Sequence, residues 1–340
     1  MHKRSKLYTT NFFSKEAEKV GISFPLLFLA TTSLVVTYFT LKDLEWEDRI
    51  SNQRGLCLFG SGLLFFPSLF VALKNLLGHT HWGRKLMRAR RLKYSDVFDI
   101  CNKLVSAVQA LFCCISGLIS VQYSCTRNIL RTSHYATESY AWFGAAYFFY
   151  DIWSMYKVWS VKKSQAKLDG MANQVILKFM KMVAYISDNF VMIFHHIFIG
   201  CFGFLVITYL RGGLGDCFFG YIFLMEASTP FVSLRGILSK MGLKDSKWYI
   251  ANGLSMLFTF FVFRVAMFPY VINLFAQSIH TDFLTAITKL PKNCKISIAL
   301  LMFPQLYWFG LMLKGATKIL FIKEKPEKVA NNNNLRKKVR

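Results

Sequence analysis

Five ionisable side chains lie deep inside long apolar stretches of this sequence. Burying a charge in a membrane costs free energy, so each of them is expected to have a chemical role or an ion-pair partner. They are Asp151, His195, His196, Glu226 and Arg264. Charged groups at membrane depth usually face a cavity or a partner. Neutral imidazole is the natural proton acceptor near pH 7. The adjacent histidines therefore indicate either general-base chemistry or a structural hydrogen-bonding pair, and the residue types alone leave both interpretations open.

The polar neighbours of these residues favour one shared cavity. Tyr147, Asp151 and Ser154 follow an i, i+4, i+7 spacing, which gives one helix a polar stripe. At about 1.5 Å per residue, Asp151, His195 and Glu226 lie at similar depths in their helices. The predicted cavity residues are Tyr147, Asp151, Ser154, Thr229 and Arg264.

Glycine and proline positions predict the backbone geometry around this cavity. His196, Gly200 and Gly203 share one helix face, where glycine lets a neighbouring backbone approach closely. Pro230 cannot donate a hydrogen bond to the carbonyl of Glu226, four residues earlier, so the helix is expected to bend beside that carboxylate.

Arg264 has a simpler interpretation than chemistry. An unpaired arginine near the bilayer midplane costs at least about 2.5 kcal/mol on insertion scales. We therefore predict a structural ion pair between Arg264 and Glu226, with Asp151 as the alternative partner.

The elements that must position these side chains are apolar blocks of about twenty residues. Each block has the length that a helix needs to cross about 30 Å of hydrocarbon. Hydrophobic residues make up 54% of the 340-residue chain. The predicted segments are 21–41, 55–77, 104–124, 139–156, 188–210, 216–235, 250–277 and 296–317. The predicted fold is thus an all-α, polytopic transmembrane bundle of about eight helices.

The net charge of +24 comes from basic residues between the apolar blocks, which form no nucleic-acid-binding motif. Lys plus Arg alternates between high and low from one connecting segment to the next, 30 residues in one set and nine in the other. The positive-inside rule then places both termini and the long loops 78–103 and 157–187 in the cytosol, facing an anionic leaflet. The tail from residue 323 is predicted to be disordered.

The cysteine and histidine patterns predict no metal site. The eight cysteines show neither a CxxC pair nor zinc spacing, and seven histidines without an HxxHH box argue against a di-iron enzyme. Cys57, Cys113, Cys114 and Cys201 lie within apolar blocks and are expected to be small core side chains.

Several segments together resemble a known family. DNFVMIFHHIFIGCFGF, followed by RGGLGDCFFGYIFLMEASTPFVSLRGIL, resembles the TLC domain shared by TRAM, Lag and CLN proteins. Further matches are KLVSAVQALF at 103–112, YFFYDIWSMY at 147–156, FRVAMFPYV at 263–271 and FPQLYWF at 303–309, and they resemble the TLC domain-containing protein 3 subfamily, the ceramide-synthase-like branch. The resemblance implies a TLC-type membrane domain over 55–320, preceded by an extension (1–54) with an extra anchor helix (21–41), and followed by a basic cytosolic tail (321–340).

The resemblance also implies a role in ceramide metabolism, either sphingoid-base N-acyltransferase activity or support of it. Ceramide synthases of this superfamily use a His-His pair in mid-membrane to transfer a fatty acyl group from coenzyme A to a sphingoid amine. His195 and His196 stand at the matching positions, and Glu226 is expected to orient or stabilise one imidazole. The expected partners are membrane lipids, a sphingoid base and acyl-CoA as co-substrate without a bound cofactor, with a homo- or hetero-oligomer of TLC proteins as an option.

Two departures from the synthases keep other functions open. Their histidine motif continues with polar positions, whereas IFIGCF follows here, and their next helix carries two acidic residues, whereas Glu226 stands alone here. The first alternative is a non-catalytic lipid-binding regulator of membrane composition, and a translocon-associated or trafficking factor is a weaker one. Lys337 and Lys338 resemble a dilysine retrieval signal, which predicts the endoplasmic reticulum, with the Golgi as second choice; a basic tail that only fixes topology is the simpler interpretation.

Overall fold

The computed structural model describes residues 23–163 and 174–322, which form eleven helices and no strand. The helix bounds are α1 Ser23–Leu41, α2 Asn52–His79, α3 His81–Ala89, α4 Tyr94–Ser124, α5 Tyr135–Lys163, α6 Gln174–Asp188, α7 Phe190–Leu210, α8 Asp216–Lys240, α9 Lys247–Ser278, α10 Phe283–Lys289 and α11 Lys292–Ile322. The chain divides into two compact units, with α1–α8 in the first and α9–α11 in the second. The predicted tail from residue 323, with Lys337 and Lys338, lies outside the described residues.

Seven of the described helices are long and apolar enough to cross a membrane. They are α1, α2, α4, α7, α8, α9 and α11. Together with the helical content, they confirm the prediction of a polytopic helical membrane bundle. The count of eight crossings depends on α5, which contains the predicted segment 139–156 but is not among the seven.

α5 is the central helix of the first unit. It packs against α2, α4 and α7, and every residue from 136 to 147 is buried. Phe66 and Phe143 pack ring against ring between α2 and α5, at 5.3 Å between ring centres. Because protein surrounds α5 on several sides, its sequence can carry aromatic, small and polar residues that a lipid-facing helix could not. This burial explains its low hydropathy.

Both long basic segments contain helices, so their prediction as loops is wrong. Segment 78–103 holds α3 and the start of α4, and segment 157–187 holds the end of α5 and most of α6. α6 buries Tyr185 and exposes Phe179, Val183 and Ile186. At nine residues for α3 and 15 for α6, these amphipathic helices are too short to span a bilayer.

The cysteines differ from the prediction in two ways. Cys125, just after α4, forms a disulfide with Cys217, near the start of α8. Cys113 is buried as expected, but Cys57 and Cys201 are exposed and so are not core side chains. Position in an apolar block did not decide burial, because a membrane helix has a lipid-facing side as apolar as its core side.

Charged residues tie the helix ends together beside this disulfide. Glu138 Oε1 lies 2.5 Å from Arg49 Nε, and Glu138 Oε2 accepts a hydrogen bond from the Ile50 amide at 3.0 Å. Arg211 pairs with Asp216, whose Oδ2 accepts a hydrogen bond from the His134 amide at 2.6 Å. The cluster lies on the predicted lumenal side and fixes α5 relative to α7 and α8.

Candidate functional site

Asp151 is the centre of a buried polar network between α4 and α5. Asn102 Nδ2 donates a hydrogen bond to Asp151 Oδ1 at 3.0 Å, and the Asp151 residue is 5% exposed. Ser154 Oγ and Tyr150 OH both donate to Asn102 Oδ1, at 2.6 and 3.2 Å. Burying a carboxylate is tolerated when such partners satisfy it. The polar stripe predicted on this helix therefore faces the interior.

His196 from α7 approaches the other oxygen of the same carboxylate. Its Nδ1 lies 3.3 Å from Asp151 Oδ2, and His196 is 8% exposed. The contact has the distance of an ion pair but not the alignment of a hydrogen bond, and Nδ1 has no hydrogen-bond partner among the described residues. Catalytic hydrogen bonds are often long or poorly aligned before substrate binds. The arrangement thus holds an imidazole beside a buried carboxylate.

The backbone of α7 departs from α-helical geometry shortly after His196. Residues Phe198–Gly203 and Val206–Leu210 form π-helical turns, which are rare and often accompany functional sites. A Cβ added at Gly200 would lie 2.9 Å from the Phe148 Cβ, so α5 and α7 approach closely there, as predicted. A Cβ at Gly203 would meet only Ile199 of its own helix, so no such approach occurs at that glycine.

His195 occupies a different environment from His196. The two imidazole ring centres are 5.8 Å apart, and His195 is half-buried. Successive residues on a helix point about 100° apart, so the pair cannot present both rings to one partner in the same way. His196 makes the close approach to Asp151, and the two histidines differ in burial although the sequence pattern treats them as equivalent.

Glu226 lies where α8 departs from α-helical geometry. Residues Met225–Ser228 form a 3-10 turn shortly before Pro230, so the backbone is irregular at this carboxylate, while the bend expected there stays a prediction. Thr229 Oγ1 donates a hydrogen bond to Glu226 Oε2 at 2.5 Å. The Glu226 charge interacts electrostatically with the Tyr140 and Tyr147 hydroxyls. The Asp151 charge acts on the Tyr147 hydroxyl as well, so Tyr147 is within electrostatic range of both carboxylates.

Arg264 belongs to the second unit, within a π-helical segment of α9. Its Nη1 donates a hydrogen bond to Gln305 Oε1 of α11 at 3.2 Å, and both side chains are buried. Its guanidinium also lies 5.2 Å from the Phe260 ring centre. These contacts give Arg264 partners within its own unit, and its pairing with Glu226 or Asp151 stays a prediction.

Several residues of the polar network were not predicted from the sequence. Asn102 fell in a predicted loop, although Asn102, Ser106 and Gln109 show the same i, i+4, i+7 spacing that marked α5. Tyr147 OH donates to Ser106 Oγ at 2.9 Å, and Gln109 Nε2 donates to Tyr140 OH at 2.7 Å. The i, i+4, i+7 spacing of these polar residues on α4 could have identified them from the sequence.

Tyr185 of α6 contacts the backbone of α5 next to Asp151. Its hydroxyl donates a hydrogen bond to the Ile152 carbonyl at 2.9 Å. Burial, together with the nearby Asp151 charge, raises the pKa of Tyr185 to about 12. The phenol therefore stays protonated at neutral pH and remains a donor. Only the tertiary structure brings this residue, 34 positions along the chain, next to Asp151.

The site can support acid–base chemistry through its own side chains. A carboxylate beside one imidazole nitrogen holds the ring and stabilises its protonated form, so the other nitrogen can accept a proton. Across the described ranges, no three His, Cys, Asp or Glu side chains converge as metal ligands do. The chemistry that these residues offer is proton transfer.

A comparison with protein-family models finds a match to the TLC domain at residues 99–314. The match covers more than half of the chain and includes Asn102, Asp151, His196 and Glu226. The domain and the multi-pass helices fit a protein of membrane lipid metabolism. The chain therefore belongs to the family of membrane proteins that carry the TLC domain, shared by TRAM, Lag and CLN proteins.

Proposed function

We propose that this chain is a sphingoid-base N-acyltransferase of the ceramide-synthase-like branch, the TLC domain-containing protein 3 subfamily. The observation that carries the proposal is the buried approach of His196 Nδ1 to Asp151 Oδ2, at 3.3 Å. A structural histidine would need only a hydrogen-bond donor or acceptor, whereas a general base benefits from a fixed anion that stabilises its protonated form. Asp151 provides that anion, and Asn102 and Ser154 hold it in place.

In the proposed reaction, His196 acts through the imidazole nitrogen that faces away from Asp151. The sphingoid ammonium loses a proton to this nitrogen, and the free amine attacks the thioester carbonyl of acyl-CoA. The tetrahedral intermediate then expels the coenzyme A thiolate, which takes that proton from the imidazolium. The regenerated imidazole removes the second proton from the former amine nitrogen and passes it to water, which leaves the neutral amide. An N–acyl bond forms, the C–S bond breaks, and Asp151 stabilises the imidazolium throughout.

The remaining predicted residues are assigned supporting roles in this proposal. Tyr147, Ser154 and Thr229 provide hydroxyls around the carboxylates, and Glu226 adds negative charge that favours an ammonium substrate. Alignment of two lipid chains within the bilayer supplies much of the rate, because the reacting groups no longer diffuse independently. The acyl donor enters as a co-substrate.

The proposed location is the endoplasmic reticulum membrane, with both termini in the cytosol. The Cys125–Cys217 disulfide supports this orientation, because both cysteines lie on the side that the charge pattern assigns to the lumen. Disulfides persist in oxidising compartments and are rare in the cytosol.

The test is acyl transfer by the purified full-length chain, with labelled sphinganine and acyl-CoAs from short to very long. His196→Asn should lower the rate about 10²–10⁴-fold, because general-base catalysis contributes that much. His81→Asn, an exposed histidine on α3, is the matched control and should retain the rate. Thermal stability in detergent shows whether each variant folds. Absence of ceramide formation by the wild type across all chain lengths would contradict the proposal.

A second candidate is a non-catalytic lipid-binding regulator, and one observation favours it. The Asp151 carboxylate already has partners on both oxygens within the protein, which is also what a structural polar core requires. In that case His196→Asn should lower the stability and leave any lipid binding per folded molecule unchanged. The acyl-transfer assay, normalised to folded protein, separates the two candidates.

A further inference from the structure

We propose that a basic cleft beside α3 is a binding site for a phosphate ester, either a phosphorylated lipid headgroup or a soluble ester such as coenzyme A. The cleft has a volume of about 480 Å³ and is lined by Gly78, Arg84, Met87, Arg88, Arg91 and Leu92. Three of these six lining residues are arginines. The inference concerns binding only and holds whether or not the chain is an acyltransferase.

The end of α2 holds α3 firmly in position. Thr80 Oγ1 accepts a hydrogen bond from the Gly83 amide at 3.0 Å and donates one to the Leu76 carbonyl at 2.6 Å. A Cβ at Gly83 would lie 2.1 Å from the Leu77 carbonyl oxygen, so the tight junction requires glycine. Met87 packs against the hydrophobic core of the first unit. Arg84 and Arg88, four residues apart, therefore share one fixed helix face.

The turn after α3 brings the third arginine to the same cleft. The Leu92 amide donates to the Met87 carbonyl at 2.9 Å, which closes the helix end. Arg91 adopts a left-handed backbone with φ of 50°, a conformation that few residues other than glycine take. Arg91 nevertheless adopts this conformation, and it is one of the residues that line the cleft.

The nearby carboxylates are already engaged by lysines. Asp96 pairs with Lys240 at 2.9 Å, and Asp99 lies 3.5 to 3.6 Å from Lys103, Lys162 and Lys240. For Arg88 and Arg91, no carboxylate of the described residues lies within ion-pair distance. Their charge is therefore available to an external anion.

The chemistry of the cleft suits a phosphate monoester. Planar guanidinium groups donate paired hydrogen bonds to phosphate oxygens, and several of them together match a doubly charged group better than a singly charged one. Clefts of roughly 300–1,000 Å³ hold small ligands. The site borders the predicted cytosolic end of α2, where both a headgroup and a soluble ester can reach it.

The experiment measures equilibrium binding to the full-length chain in phosphatidylcholine nanodiscs. One arm compares short-chain phosphatidylinositol 4-phosphate with phosphatidylinositol, and the other compares coenzyme A with dephospho-coenzyme A. Both arms use the double variant R88Q/R91Q and the matched control K85Q/R90Q. The control removes two exposed positive charges from the same segment, at positions that do not line the cleft. Thermal melting checks that both variants are folded.

We expect saturable binding of at least one phosphomonoester probe and weaker binding of its partner without that phosphate. R88Q/R91Q should lower the affinity at least about tenfold, since each charge-assisted hydrogen bond contributes on that scale. K85Q/R90Q should lower it less than about threefold, as expected for screened surface charge. Preference for coenzyme A or for the lipid identifies the source. Equal losses in both variants, or no saturable binding in either arm, would overturn the proposal.

Discussion

Asn102 is the side chain on which the geometry of the site depends most directly. It donates to Asp151 and accepts from Ser154 and Tyr150, so one amide connects the carboxylate to two hydroxyls. Both ends of the amide are used, which fixes its orientation. Histidine and carboxylate residues within apolar segments are recognisable as site candidates from the sequence, whereas the Asn102 amide on its own is not.

Replacement of Asn102 by leucine should therefore destabilise the protein more than its size suggests. The variant removes one donor from the buried Asp151 carboxylate and the acceptor of the Tyr150 hydroxyl, at a cost of about 1–3 kcal/mol for each group left unsatisfied, whereas Ser154 keeps its bond to Asp151. Thermal unfolding in detergent measures the effect. Ser106→Ala, one turn along α4, is the control and should cost less, because it removes a single hydroxyl. Equal melting temperatures for N102L and the wild type would show that water replaces the amide.

At the scale of elements, the contact between α5 and α7 decides whether His196 reaches Asp151. Gly200 lies one turn beyond His196 and packs against Phe148, whose ring centre is 5.7 Å from that of His196. Any side chain at this position pushes the two helices apart. Gly203 faces more open space and offers a natural comparison.

Gly200→Leu should reduce stability by about 1–3 kcal/mol through overpacking, and it should also reduce activity by moving the imidazole. Gly203→Leu should have a smaller effect on both properties. The comparison requires thermal melting and the acyl-transfer rate of each variant per folded molecule. A larger loss for Gly203→Leu than for Gly200→Leu would contradict the described contact.

The disulfide connects α4 and α8 across 92 residues of sequence. Closing so long a loop restricts the unfolded chain strongly, and loss of a native disulfide commonly costs about 2–5 kcal/mol. Cys125→Ser and Cys217→Ser should each lower the melting temperature, and the double variant should lower it no further. Cys57→Ser, an exposed free cysteine, is the control. Maleimide labelling of both Cys125 and Cys217 in unreduced, unfolded protein would show that the bond is absent.

At the scale of the whole molecule, the disulfide and the charge pattern support one orientation from independent physics. The positive-inside rule depends on insertion energetics, whereas the disulfide depends on the redox state of the compartment. Both support the proposed lumenal position of Cys125, just after α4, and of Cys217, near the start of α8.

Glycosylation scanning measures this topology. Acceptor sites inserted around residues 45, 130 and 285 should be modified, because these segments are predicted to be lumenal. Sites around 90 and 170 should stay unmodified. Band shifts that vanish after glycosidase treatment provide the readout. Modification at 90 would reverse the orientation and would also place the basic α3 cleft in the lumen.

The helices, the fold class and several site candidates follow from the amino-acid sequence, because the requirements of a membrane act within each segment. Backbone groups must pair within each segment and apolar length must match the bilayer, so helices and fold class follow from runs of residues. Ionisable groups at depth are costly, so their positions within apolar blocks are enough to mark Asp151, His196 and Glu226 as site candidates. The irregularity at Glu226 likewise follows from Pro230, four residues away.

The tertiary structure decided everything that depends on which helix faces meet. It placed His196 against Asp151, joined Cys125 to Cys217, and brought Asn102 to the Asp151 carboxylate and Tyr185 to the neighbouring Ile152 carbonyl. A lipid-facing surface is as apolar as a buried one, so hydropathy does not reveal which face of a membrane helix is inside. The partners of each polar group are fixed only by packing between helices distant in sequence.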